Sequence, residues 1–438
     1  MLKRLIRRGE SRFIFLIVLL AFALRVVVIP FLLGDITDPD RDHWGFGWEE
    51  GRIASSIAGG QGFSSPLFGD TGPTAWTCPV YPYLLAGVFR VFGIYSRASA
   101  WAILTLNCLF SALTCIPVFL IGRRCFGKSC GYWAAAVWAV FPYAVYFASG
   151  YVWGFCLDAL MLTLVVWGTL AMEGETRPMQ WVGYGLLWGA AALTNAVILS
   201  TLPLLLGLLL WCHTQSKFRW LFNSAVAMLV LVIVVSPWFF RNYKTFHRFI
   251  PFRSTFWMIF WEGNTGDMSD LFPDWTNPAH SETEMEAYRR LGEIGYVEQK
   301  KRASVDFLKR YPGLYLRLVA KRFVYTWTGF WSLRKDYLIA EPLTFPHIAL
   351  TTILTVFLVL GAKRAVHLNL DAALLLFLVL AGYPLIYYIA HSGAEYRHPI
   401  DPICVVFIGY LASCKMARRT NANASKVAEE PKYRALSG

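Results

Sequence analysis

The chain reads as an all-α membrane protein, a polytopic bundle of about ten transmembrane helices. Three observations predict this. Of its 438 residues 56% are hydrophobic and only 16% charged, whereas soluble domains carry about 25% charged residues. The apolar residues gather into ten long runs, each able to cross about 30 Å of hydrocarbon at about 1.5 Å per residue. The runs do not alternate, so helices rather than barrel strands satisfy their backbone.

The first run, Phe13 to Leu33, follows Lys3, Arg4, Arg7, Arg8 and Arg12. It is too long for a signal-peptide core and lacks a small-x-small cleavage site, so it is expected as a retained helix. The remaining spans are expected at 99–121, 131–149, 153–171, 180–195, 196–212, 221–240, 345–361, 370–390 and 399–415. Thr194-Asn195 is the critical join, because a single broken helix over 180–212 would invert everything after it. Short loops of one parity carry Arg123, Arg124 and Lys128, then Arg177, then Lys217 and Arg219, then Lys363 and Arg364. The positive-inside rule then puts both termini in the cytoplasm, with segments 34–98 and 241–344 on the outer face, in the periplasm or its equivalent. Four regions follow: 1–240 with the first outer loop, the outer segment 241–344, the helices of 345–415, and a tail 416–438 that loses order from about Thr420.

The formal charge is +13. The basic residues sit at span ends, as topology signals do, so no nucleic-acid partner is expected. Eight of nine cysteines fall in or beside apolar runs, without metal or disulfide spacing, and read as small hydrophobes.

In the outer segment, Met285, Tyr288, Leu291, Ile294 and Val297 recur every three residues. This predicts a helix from Glu282 to Arg310, ended by Tyr311-Pro312. A second helix, 314–331, sets Arg310, Arg317, Lys321 and Arg322 beside Leu314, Leu318, Val319 and Phe323, with Trp327 and Trp331 at its end. It either lies in the interface against anionic headgroups or packs as an ordinary amphipathic helix on the bundle.

The first outer loop holds Asp35, Asp38, Asp40, Asp42, Glu49 and Glu50 among tryptophans, tyrosines, phenylalanines, glycines and prolines. A carboxylate held against aromatic rings loses solvation, which raises its pKa toward that of a useful base. The adjacent Glu49 and Glu50 also repel each other. In a helix they point about 100° apart, so only one faces a given point. The alternative is a solvated acidic loop anchored by interfacial aromatics.

Trp48-Glu49-Glu50-Gly51-Arg52-Ile53-Ala54, Pro79-Val80-Tyr81-Pro82-Tyr83-Leu84-Leu85-Ala86, Pro237-Trp238-Phe239-Phe240-Arg241-Asn242-Tyr243 and Glu395-Tyr396-Arg397-His398-Pro399 occur in that order. Together they resemble the GT-C superfamily of integral-membrane glycosyltransferases. The likeness is greatest to the bacterial branch related to protein O-mannosyltransferases and to the transferase that puts aminoarabinose on lipid A. Glu49 stands where relatives often carry Asp, and Thr74 to Cys78 lacks the acidic and lysine residues of the aminoarabinose enzyme. The resemblance implies a bacterial inner-membrane enzyme that transfers a sugar from a polyprenyl-phosphate donor to a lipid, glycan or protein acceptor at the outer, periplasmic face. Glu49 would deprotonate the acceptor, with Glu50 as neighbour. Arg241 and Arg397, at outer span ends, would meet the lipid phosphate, with Arg52, Lys244 and Arg253 as secondary candidates and snorkelling anchors as the plain alternative. Trp76 and Tyr81 are candidate supports.

Arg25 and Asp158 fall inside spans, where charge is costly and each needs a partner. They are expected to pair, the alternative being that Asp158 forms the floor of the active site. His43, His247, His391 and His398 lie too far apart in sequence to suggest a ligand set, so no metal or other cofactor is expected. A lipid-linked-glycan flippase, or an O-antigen polymerase or ligase, are the competing readings. The first predicts two related halves with ionisable groups at midplane, and no repeat is visible.

Overall fold

The computed structural model describes residues 8–37, 43–212, 217–264, 276–330, 335–340, 344–368 and 370–428. Trp331 and the acidic-run residues Asp38, Asp40 and Asp42 lie outside these. Every predicted span is helical. Helix α1 covers Arg8–Ile36. Within segment 34–98 stand α2 (Trp48–Ala58) and α3 (Val80–Phe92). Next come α4 (Arg97–Leu113), α5 (Cys115–Phe126), α6 (Lys128–Ala139), α7 (Pro142–Gly150), α8 (Phe155–Met172) and α9 (Pro178–Thr194). A 3-10 turn, Ala196–Thr201, leads into α10 (Leu202–Cys212), and α11 follows over Lys217–Phe246. Segment 241–344 holds α12 (Phe256–Asn264), α13 (Glu282–Arg310), α14 (Pro312–Thr328) and α15 (Lys335–Ala340). The last part is α16 (Thr344–Leu368), α17 (Leu370–Gly382), α18 (Leu385–Ile389), α19 (Ala394–Arg397) and α20 (Asp401–Ala428). Among the described residues five helical stretches are long and apolar enough alone to cross a membrane, and α6 with α7, bent by 43°, make a sixth. The others are shorter or broken. The last helix runs to Ala428, past the expected loss of order at Thr420.

The Thr194-Asn195 join is a true reversal. Trp181 meets Trp220 edge-on, Asn223 donates to the Thr176 carbonyl, and Gly185 and Gly189 press on Ala227 and Val234. Helices α9 and α11 therefore run parallel, which requires one crossing between them. Asn195 is extended (φ −150°, ψ 111°) and its side-chain oxygen caps the Val197 N–H, which ends one helix and starts the next. At one end of the bundle Glu10 pairs with Arg123 and Lys128, and Arg124 with Glu173. Glu10, the 123–128 loop and Glu173 thus share an end, and segments 34–98 and 241–344 meet at the other, where Glu293 accepts from the Ala75 N–H and Arg241 donates to Thr74 O.

Arg25 does not pair with Asp158. It is fully buried and donates to Ser111 Oγ at 2.9 Å and to the carbonyls of Ala21, Ala139 and Trp138 at 2.9, 2.8 and 3.0 Å. Trp138 and Ala139 end α6 at the bend of its span, where carbonyls have no partner in their own helix. The guanidinium caps that break.

The helix Glu282–Arg310 is broken at Gly292, whose φ of +68° is open to glycine at little cost. The break shifts the helical phase. Leu291, expected inside, is exposed, and Glu293 turns inward instead. Arg322 likewise leaves the expected basic face. It is buried and donates to Gly263 O, Ala390 O and Asn264 Oδ1. Leu316, Phe323 and Val324 stand exposed on the same helix, as an interfacial helix requires.

Candidate active site

Helix α2 begins with a tight reversal. Gly47 (φ +93°) and Trp48 (φ +46°) are left-handed, and Gly51 packs its bare Cα on the Phe46 carbonyl. A left-handed tryptophan costs on the order of 1–3 kcal/mol and persists only when its surroundings hold it. Here the Trp48 ring stacks on Tyr151 and meets Trp153 edge-on. The reversal brings Glu49 and Glu50, in the first turn of α2, to the start of α8.

The two carboxylates diverge as helical neighbours must. Glu49 is half-buried, and the Trp76 indole donates to it. Burial raises its pKa, while that bond and its own backbone N–H pull the other way. Glu50 is 7% exposed and one carboxylate oxygen has no hydrogen-bond partner. Burial pushes its pKa well up, and Asp158 and Glu49 add like-charge repulsion. The Gly154 N–H and Arg253 only partly offset this.

Asp158, in the first turn of α8, is buried and accepts from Asn195 Nδ2 at 2.8 Å. The residue that reverses the chain at the join therefore also holds this acid, a role not visible in the sequence. Tyr81 shares a hydrogen bond of 2.9 Å with Asn107, whose amide also donates to the Tyr151 carbonyl. Tyr81 thereby ties the first turn of α3, through Asn107 of α4, to the loop before α8. Tyr383, Tyr387 and Tyr396 complete this surface, all within electrostatic reach of Arg253. Glu395, beside them, is pushed up to about 7 by burial.

The arginines separate into two kinds. Arg241 is spent on protein groups: it donates to Thr74 O, Phe63 O and Asn242 Oδ1, and lies over the Phe63 and Trp238 rings. Arg397 is 4% exposed, paired with Asp401 at 3.0 Å and stacked over Trp327. Arg52 lies over the Phe68 ring at 4.5 Å, and Lys244 is exposed. Arg253 is half-buried. It makes no hydrogen bond or ion pair among the described residues, yet it acts on Glu50, Asp158 and the three tyrosines. The acids, the tyrosines and this cation thus converge at one end of the bundle, while Arg241 and Arg397 brace its wall.

Glu293 was missed because helical spacing predicted its neighbours, not it, to face inward. The one available signal was Gly292 inside a helical pattern, a position where the phase can jump. Among the described residues no group of three or more His, Cys, Asp or Glu side chains has metal-ligand geometry.

Residues 74–240 match the dolichyl-phosphate-mannose-protein mannosyltransferase family. That stretch includes Trp76, Tyr81, Asp158 and Asn195, and begins after the Glu49-Glu50 pair. Among solved structures, oligosaccharyltransferase AglB of Archaeoglobus fulgidus, in complex with an inhibitory peptide and a dolichol-phosphate, is similar at TM-score 0.58 and 13% identity, covering 98% of this chain and 53% of its own. The same organism's enzyme tethered to an acceptor peptide gives TM-score 0.57 at 13% identity, over 93% of this chain and 50% of its own. This chain spans about half the length of those archaeal proteins. ArnT from Cupriavidus metallidurans, bound to undecaprenyl phosphate, covers 96% of this chain and 81% of its own at 14% identity, with a TM-score of 0.42 that is too loose to bear on the fold. No curated protein sequence matches significantly.

Proposed function

We propose that this chain, an integral-membrane protein with the fold of the GT-C glycosyltransferases, transfers a sugar from a polyprenyl-phosphate donor to an envelope acceptor at the outer membrane face. The observation that carries this reading is the split between two adjacent carboxylates beside an unspent guanidinium. Environments that push two acids apart assign the base and the proton holder. Glu50, buried and repelled by Asp158, keeps its proton. Glu49, reachable and held by the Trp76 indole, is the base.

In the reaction the acceptor hydroxyl oxygen attacks the sugar's anomeric carbon as its proton passes to Glu49. The bond from that carbon to the phosphate oxygen breaks, and its electron pair leaves on polyprenyl phosphate. The negative charge that develops there meets Arg253, in a site poor in water where such contacts count most. The exposed apolar flank of α14 gives the isoprenoid chain a membrane surface beside the site.

The test is turnover by purified protein in vesicles, with synthetic polyprenyl-phosphate hexose and pentose donors, reading release of polyprenyl phosphate. Glu49→Gln is expected to lose on the order of 10²–10⁴-fold. A rate equal to wild type removes Glu49 from the mechanism.

A further inference from the structure

We propose that Glu293 is a positioning residue for this site, a buried clamp that fixes the two loop segments carrying Trp76 and Arg253. The inference rests on the transfer reading above.

Glu293 is 5% exposed and joins three parts of the chain. One carboxylate oxygen accepts from the Ala75 N–H at 2.9 Å and the Ser254 hydroxyl at 2.7 Å. The other accepts from the Thr74 hydroxyl and from Tyr288 Oη at 3.3 Å. Ala75 directly precedes Trp76, which holds Glu49, and Ser254 directly follows Arg253. The two segments are also stitched to each other: Ser254 N–H donates to Ala75 O at 2.8 Å, and the Thr255 hydroxyl donates to Trp76 O at 3.1 Å. On the far side Arg241 donates to Thr74 O. Thr74 is thus gripped through its hydroxyl by Glu293 and through its carbonyl by Arg241.

A carboxylate is acceptor-only and takes up to about four donors, so one Glu293 satisfies the whole junction. Burying it is costly, and burial raises its pKa against the pull of those four donors. An apolar residue would suffice if packing were the sole requirement. The clamp's geometric consequence is that the base's partner and the phosphate's partner are set by one side chain outside the catalytic pair. Gly292, by breaking α13, is what turns that side chain inward.

The experiment compares Glu293→Ala and Glu293→Gln with wild type in vesicles, reading kcat per folded molecule with the donors above and hydrogen exchange along the chain. Glu293→Ala is expected to speed exchange selectively in residues 72–78 and 252–256, and to lower kcat by about 10- to 100-fold, as a displacement near 1 Å can. Glu293→Gln keeps an oxygen for Ala75 and Ser254 and is expected to restore most of the rate. Should Glu293→Ala yield no folded protein, Ser254→Ala removes one arm and is expected to speed exchange at 252–256 with a smaller loss of kcat. Unchanged exchange in those segments overturns the clamp. Faster exchange with unchanged kcat per folded molecule shows a merely stabilising role and overturns the positioning claim. If wild type itself releases no polyprenyl phosphate from any donor, the transfer reading fails, and the positioning role with it. The exchange data then report on the clamp alone.

Discussion

Replacing Gly51 by alanine isolates the placement of the acid pair from its chemistry. A methyl group built at Gly51 lies 1.9 Å from the Phe46 carbonyl oxygen and 3.0 Å from its carbon, where ordinary contact begins at 3.4 Å. The clash is with backbone, so no rotamer relieves it, and α2 must retreat from the preceding turn by about 1.5 Å. Glu49 and Glu50 sit in the turn that moves. A misplacement of about 1 Å can cost about 10²-fold in rate, so Gly51→Ala is expected to lose at least that much while both carboxylates remain. Gly87→Ala, in α3, is the control, because nothing lies within 4 Å of its added methyl. The assay is release of polyprenyl phosphate in vesicles, normalised to folded protein by size exclusion. Wild-type turnover by Gly51→Ala would refute the claim that the α2 register places the catalytic acids.

Other perturbations separate the roles assigned to single groups. Arg253→Ala is expected to raise the donor KM and lower kcat without a large loss of thermal stability, whereas Arg241→Ala is expected to melt at lower temperature because it frees the Thr74 and Phe63 carbonyls; the reverse pattern in donor titrations and melting would exchange their roles. Arg25→Met strands the Ala139 carbonyl at the α6 bend and leaves Trp138 O with only the Phe141 N–H; an unsatisfied buried carbonyl costs about 1–3 kcal/mol, so a fall in melting temperature in detergent is expected, and an unchanged melt would show that water replaces the guanidinium. Glu395 holds its proton more tightly when folded, its pKa being raised from 4.5 to about 7. Stability is therefore highest below pH 4.5 as far as this group is concerned, and falls as pH rises toward 7. Glu395→Gln is expected to narrow the difference in melting temperature between pH 5 and pH 8, and an unaltered difference would contradict the shift.

Much of the fold was legible in the chain. The runs from Phe13 to Leu33 and from 221 to 240 declare themselves by composition, since crossing hydrocarbon is demanded of each segment separately. The order of basic short loops likewise foretold which ends meet, and the Glu10 contacts with Arg123 and Lys128 agree. The candidate site was legible only in part. Glu49, Glu50 and Asp158 could be singled out because charge among aromatic or apolar neighbours is conspicuous anywhere. Their partners could not. Arg25 was expected to seek an opposite charge, but a helix break offered it carbonyls that no periodicity announces. Arg241 and Arg253 are both arginines near the outer end of one segment, and nothing local distinguishes the one spent on backbone from the one left facing the acids.

Glu293 is the plainest case of the same division. Its spacing assigns it to an outward face, and a single left-handed glycine turns it in. Hydropathy along the chain determined that this protein is an all-α membrane bundle, and where its apolar runs and its unusual polar residues lie along the chain. Which acid is buried, which cation is unspent and which carboxylate clamps the loops were decided by tertiary structure, because each depends on donors and charges supplied by segments remote in sequence.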